Sequence, residues 1–326
     1  MKKITLILIA TLFTITNSCS QTNKNNMIIK QNPDINASNI VEKISSQVKR
    51  YPKEPLYQID FTINHCYPEI LVNDMPAYKD FKIGSGGTAR MINYNILKAG
   101  SQKITLRLYP TIDNKVFLQN SGIEIEIGSY DNTNKYSIEA QEDNLFNYST
   151  PVDKDGLFTE KDKTYYETTQ TFTLPNVPYH NIGWSESQDL RQMNKVDLEK
   201  KILAYYKEIQ EIIKNNDKDM IARISYNKMR DQFVSQYGSK EEIQEAWDEV
   251  LEIYSSKDIE FLPIENYELV FYGDGKLVGL QSKKTDKNFR GKSALYMKYK
   301  KDGRLVGIDF YYLLHIPTGK TEFEVY

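Results

Sequence analysis

With 326 residues, 40% of them hydrophobic and 26% charged, the chain is longer than one ordinary domain and can bury real cores, which excludes a disordered chain and predicts two domains. Lys and Arg number 42 against 44 Asp and Glu, a formal charge of −2, so the basic excess of a general nucleic-acid binder is missing. Two cysteines and three histidines are too few for a disulfide scaffold or a metal cluster, while 24 tyrosines against 13 phenylalanines give many large rings a polar end.

In chain order, Met1-Lys2-Lys3 and the apolar run from Ile4 to Phe13 make a positive start and a short apolar core. That is the pattern of a secretory leader, too short to span a membrane. Thr16-Asn17-Ser18-Cys19 resembles a bacterial lipoprotein signal, in which a small residue precedes the cysteine that is lipidated; the alternative is an ordinary cleaved leader. The resemblance implies a signal peptide over 1–18 and a membrane partner reached through lipidated Cys19. Several acyl chains on one cysteine would hold stably where a single chain is marginal. Ser20 rather than Asp after the cysteine implies an outer-membrane location facing the periplasm. Residues 19–54 are expected to form a polar tether and a short helix on Ile40, Ile44 and Val48, stopped by Pro52 and Pro55.

From Gln58 the hydrophobic period changes to two. Ile59, Phe61 and Ile63 alternate with polar residues, as do Ile104, Leu106 and Leu108, then Ile123, Ile125 and Ile127, then Phe172 and Leu174. Short half-buried strands between Gly, Asn and Pro turns predict an antiparallel β-sandwich over 55–180. A linker is expected over 181–192 and an α+β domain over 193–326. Leu198, Ile202, Tyr205, Ile209 and Ile212 predict a first helix capped by Asn194; Ala222, Tyr226, Met229, Phe233 and Tyr237 predict a second. Ser239-Lys240-Glu241-Glu242 is a capping box for a third, whose apolar face carries Ile243, Trp247 and Tyr254. Turns at Gly273-Asp274-Gly275 and Asp302-Gly303 then predict a meander of strands. The fold class expected is mainly β with α+β, and the helices-then-meander order is similar to an NTF2-like cone.

No motif for chemistry stands out. Gly84-Ser85-Gly86-Gly87 lacks the Lys-Ser/Thr end of a phosphate loop, and in Asp153-Lys154-Asp155-Gly156 a proline, Pro151, falls where the first calcium ligand belongs. His65, His180 and His315 have no HxxxH or HxH partner and read as structural or surface residues, and Cys66 as a buried small hydrophobe. No metal site and no cofactor is expected. Asp309, Tyr311 and His315 share odd spacing and would face one pocket if the second domain were an enzyme.

Charge is more informative. Glu241, Glu245, Asp248, Glu249 and Glu252 fall opposite Trp247 on the third helix, whereas Lys283, Lys284, Lys287, Arg290 and Lys292 open a cationic stretch. The two patches would steer a charged protein partner or touch anionic lipid; otherwise they are a solvated helix face and lysine-protected strand edges.

Two stretches carry resemblances. Ile96 through Gly100 to Arg107 is similar to the leucine, loop glycine and alternating strand of many extracellular β-sandwiches, sugar-binding ones among them. Phe271-Tyr272-Gly273-Asp274-Gly275 through Ser293-Ala294-Leu295 to Ile316-Pro317 resembles poorly characterised envelope lipoproteins of Gram-negative bacteria, some of which accompany antibacterial effector systems such as type VI secretion. That resemblance implies a non-enzymatic immunity protein that binds an effector or toxin and no nucleic acid. A glycan-binding lipoprotein using Tyr130, Tyr136, Tyr148 and Tyr165, and a small-molecule enzyme using the C-terminal pocket, are the alternatives.

Overall fold

The computed structural model describes residues 28–132, 141–256, 258–301 and 303–326. The leader, Cys19 and Tyr136 fall outside them. The described chain is mostly β, in four antiparallel sheets, with its three long helices grouped in the C-terminal half. No helix among the described residues is long and apolar enough to cross a membrane.

The expected sandwich is present. β1 (Pro55–Asn64), β4 (Gly86–Met91), β6 (Gly122–Asp131) and β7 (Gln141–Ser149) form one sheet in the order β4-β1-β6-β7. β2 (Cys66–Val72), β3 (Met75–Lys79), β5 (Gly100–Pro110) and β8 (Tyr166–Leu174) form the other, in the order β3-β2-β5-β8. Ile59, Phe61 and Ile63 meet Ile104, Leu106, Leu108 and the Ile123–Ile127 row in one core between the sheets, because alternate residues of a strand share a face. His65, at φ 48°, is the single residue between β1 and β2, and its left-handed backbone turns the chain from one sheet into the other.

In the C-terminal half α2 (Lys195–Lys214), α3 (Lys218–Ser235) and α4 (Lys240–Tyr254) match the three stripes. Asn194 caps α2, accepting hydrogen bonds from the amides of Val196 and Asp197. Ser239 and Glu242 complete the capping box of α4. The strands differ from a single meander. β10 (Tyr267–Tyr272), β11 (Leu277–Ser282), β14 (Leu314–His315) and β15 (Glu324–Val325) make one sheet, while β9 (Glu260–Phe261), β12 (Tyr296–Lys301) and β13 (Arg304–Asp309) make another. Beyond an isolated bridge between Gln281 and Ser293, β11 and β12 do not pair. The stretch between them leaves the sheet and crosses to the sandwich, as described below.

Two segments read as connections are structural. α1 (Ile40–Ser45) is the expected short helix, but from Ile28 onward the chain is packed rather than a tether. Ile29, Ile35, Ile40, Val41 and Ile44 belong to the core of α2, α3 and α4. Glu208 of α2 accepts the amides of Ile28 and Ile29 at 2.8 and 3.0 Å. The Gln31 side chain donates to the Val325 carbonyl at 3.1 Å and accepts the Val325 amide at 2.6 Å, filling a free edge of β15. The stretch 181–192 is equally ordered: Trp184 and Leu190 are buried, and Asn181 donates to the carbonyl of Asp231 at 2.9 Å.

Candidate functional site

Chemistry concentrates on the seam between the sandwich and the C-terminal half. All of β2 is buried: Cys66, Ile70 and Val72 face the sandwich core, so Tyr67, Glu69 and Leu71 face the other way. Leu71 and Met75 pack with Trp184, Tyr272, Leu277, Leu313 and Tyr326 of the second half. The turn after β2 meets the turn after β10, where the Gly273 amide donates to the Asp74 carbonyl at 2.9 Å. Gly273 has φ 60°, and a side chain there would strike Trp184, so both backbone and space require glycine.

Across this face runs a ladder of alternating charge. Glu69 is in register with Lys79 on one neighbouring strand and Arg107 on the other, and Arg107 is in register with Glu167. Lys79 donates to Glu69 at 2.9 Å, Arg107 to Glu69 at 3.5 Å and to Glu167 at 2.9 Å. The Tyr109 and Tyr272 hydroxyls also donate to Glu69 at 3.5 Å, and Lys79 donates to Gln281 of β11. Cross-strand opposite charges support a sheet; here the knot is also what the second half is fitted to.

The basic stretch is divided rather than displayed as one patch. Arg290 lies over the rings of Phe81, Tyr67 and Tyr109, at 4.5, 5.7 and 5.7 Å, an aromatic cage on the outer face of the sandwich. Desolvation lowers its pKa, opposed by Tyr67 and Tyr109. Lys292 pairs with Asp309 at 3.2 Å and Lys284 with Glu265 at 3.7 Å. Lys283 and Lys287 remain exposed. The cage explains why the 283–292 stretch leaves the sheet: it trades strand pairing for a cation–π contact across the seam. Arg290→Met should keep the apolar stem but lose the charge, lowering stability by about 1 kcal/mol in chemical denaturation and speeding proteolysis within 283–292. An unchanged cleavage rate would mean that the cage does not hold the stretch.

The acidic residues behave differently. Glu241, Glu245, Asp248, Glu249 and Glu252 are all exposed on α4, and Trp247 on its other side is buried. Glu252 pairs with Lys301 at 3.3 Å and Asp248 accepts from Gln244 at 2.9 Å. Glu245 and Glu249 have no cationic partner among the described residues.

Three clefts lie at or behind the seam. One, of about 600 Å3, lies between Lys49, Tyr51, His180 and Arg230, but its Arg230 is already paired with Asp231 at 2.7 Å. A second, of about 300 Å3, is lined by Ser187, His315 and Tyr326. Ser187 Oγ and His315 Nδ1 are 2.7 Å apart, the spacing of a nucleophile and its base, yet the pair is not built for that work. No carboxylate orients the ring from its other side, since Nε2 is buried without a hydrogen-bond partner. Burial lowers the His315 pKa to about 4, far below that of an effective base at neutral pH. The third lies around Lys228, which sequence reading passed over. Lys228 is adjacent to the Met229 stripe of α3, and periodicity treats such a position as a flank. Asp309 and Tyr311 face this third cleft while His315 lines the second, so the three residues of odd spacing do not share one pocket.

Of the four tyrosines proposed to stack on sugar, the three that are described do not form a row. Tyr148 packs on the sandwich core, Tyr130 packs with Leu56, Tyr179 and Tyr237, and Tyr165 lies beside Tyr109 on the outer sheet face. Cys66 is buried, and burial raises its thiol pKa to about 11. Among the described residues no group of His, Cys, Asp and Glu could hold a metal ion. Comparison with known protein families, with curated proteins and with solved structures finds no match to this chain, so the functional reading rests on the chain's own residues.

Proposed function

We propose that the protein is a lipid-anchored periplasmic binding module that recognises a protein partner without turning it over, the partner class being the antibacterial effector implied by the sequence resemblance. The observation that supports it is the outer face of α4. Five carboxylates are exposed on one rigid helix, and the helix is fixed by its buried Trp247 and its complete capping box. A fixed acidic face favours a basic partner surface and speeds encounter through long-range attraction. If Cys19 carries the lipid, the roughly nine residues to Ile28 let the folded part stand no more than about 30 Å from the membrane. The NTF2-like analogy rests on element order alone, and belongs to this proposal.

Co-purification of the full mature chain from the envelope is expected to recover one protein in stoichiometric amount. The triple charge reversal of Glu245, Asp248 and Glu249 to lysine is expected to slow association at least tenfold and to remove its salt dependence. Undiminished binding by the triple variant would take α4 out of the interface. Recovery of no protein partner from the native chain would count against the whole reading.

A further inference from the structure

Lys228 is half-buried on α3. It lies between Met229 and Asn227 on a helix packed on most of its sides, and it lines two adjoining cavities of about 320 and 260 Å3 that share Lys228, Asp309 and Tyr311. Among the described residues its ammonium has no hydrogen bond and no ion pair. Loss of hydration holds its pKa below that of an ordinary lysine. Two carboxylates line the same space, and neither neutralises it. Asp309 is engaged by Lys292 at 3.2 Å and by the Ser293 amide at 3.4 Å, and Glu249 is exposed on α4.

The remaining lining is mixed: Ser225 and Gln232 border the larger cavity, and Lys79 and Lys292, both already paired with carboxylates, border the smaller, but one wall is apolar. Met229, Phe233, Val250, Tyr254, Phe310 and Tyr312 face the larger cavity. Phe310 and Tyr312 stack 5.8 Å apart at an interplanar angle of 6°. The ring hydroxyls are satisfied within the protein: Tyr254 and Tyr312 share a hydrogen bond of 2.6 Å, and Tyr311 donates to the Gly291 carbonyl at 3.0 Å. One unpaired cation beside an apolar wall in a cavity of this size is an arrangement that fixes a small ligand by a single charge and covers the rest of it. We propose that the Lys228 cavity binds a small amphipathic anion, its acid group paired with the Lys228 ammonium and its apolar body against Phe233, Val250 and Phe310. Glu249 borders both this cavity and the acidic face of α4, but the cation and the apolar wall belong to α3 and to the 309–312 segment, so the proposal does not rest on the α4 reading.

The probe is 8-anilinonaphthalene-1-sulfonate, an aromatic anion, titrated into the full mature chain. Saturable one-to-one fluorescence enhancement is expected, displaced by decanoate and at least tenfold less well by decanol, its uncharged counterpart. Lys228→Met, which keeps the reach of the side chain, should weaken the sulfonate and decanoate at least tenfold and leave decanol unchanged. Its melting temperature without probe should equal or exceed that of the native chain, because an unpaired charge has been removed. Ala246→Trp, which fills the cavity from the α4 side, should block the acid and the alcohol alike. Equal displacement by decanol and decanoate, undiminished anion binding by Lys228→Met, or undiminished probe binding by Ala246→Trp would each overturn the proposal.

Discussion

Replacing Glu69 by alanine is expected to destabilise the protein by about 3–5 kcal/mol. Side chains of Glu69 and Lys79 are only 5% and 9% exposed, so water cannot replace the lost partner. The variant leaves the Lys79 ammonium inside the seam with Gln281 alone, and removes the acceptor shared by Arg107, Tyr109 and Tyr272. Attraction between the two ions roughly offsets the cost of drying them, whereas one ion by itself bears that cost uncompensated. The double variant Glu69→Leu with Lys79→Met should therefore return to within about 1 kcal/mol of the native chain. Urea denaturation at pH 7 measures both. A single variant costing less than about 1 kcal/mol would mean that the ladder behaves as a surface ion pair.

A second large effect is expected from acid. Burial holds the His315 pKa at about 4, against 6.5 for the free side chain, with Glu324 raising it and Lys320 and Arg230 lowering it further. Above pH 6.5 the ring is neutral in both folded and unfolded chains, and it contributes no pH dependence. Between pH 6.5 and about 4 the unfolded chain binds the proton and the folded chain does not. Stability therefore falls as pH falls, by roughly 1.4 kcal/mol per unit and about 3 kcal/mol in all, and the loss levels off below about 4. Geometry gives the reason: a protonated ring would donate from both nitrogens, and Nε2 is buried without a partner. His315→Asn, which retains a group for Ser187 at the Nδ1 position, should flatten this part of the profile. Denaturation of both chains at pH 7.5, 6, 5 and 4 tests it by difference, so that other carboxylates titrating in the same range cancel. Parallel profiles would remove His315 as the source.

Local patterns were legible wherever one physical rule dominated. The two-residue period placed β1, β5 and β6, the capping box placed the start of α4, and the glycine turn placed the β10–β11 hairpin, because each depends on neighbours a few residues apart. The acidic face of α4 was legible for the same reason: helical spacing alone puts its carboxylates opposite Trp247. Other features depended on contacts between distant parts of the chain. The 28–54 segment reads as polar and proline-broken, yet Gln31 and Ile40 are held by residues near 200 and 325. Arg290 counts as one more cation in a basic stretch until Phe81 and Tyr109, far back in the sequence, come beneath it.

The sequence by itself determined the class of the elements with a clear period, the sandwich, the three long helices and the sign of the α4 face, since these follow from periodicity and composition. Near-zero net charge concealed what mattered most, and only the tertiary structure decided it. Strand register turned Lys79, Glu69, Arg107 and Glu167 into one ladder, and packing left Lys228 beside Asp309, a carboxylate that Lys292 already holds. Charge acts over a few ångströms once water is excluded, so its consequences depend on which distant residues folding brings together.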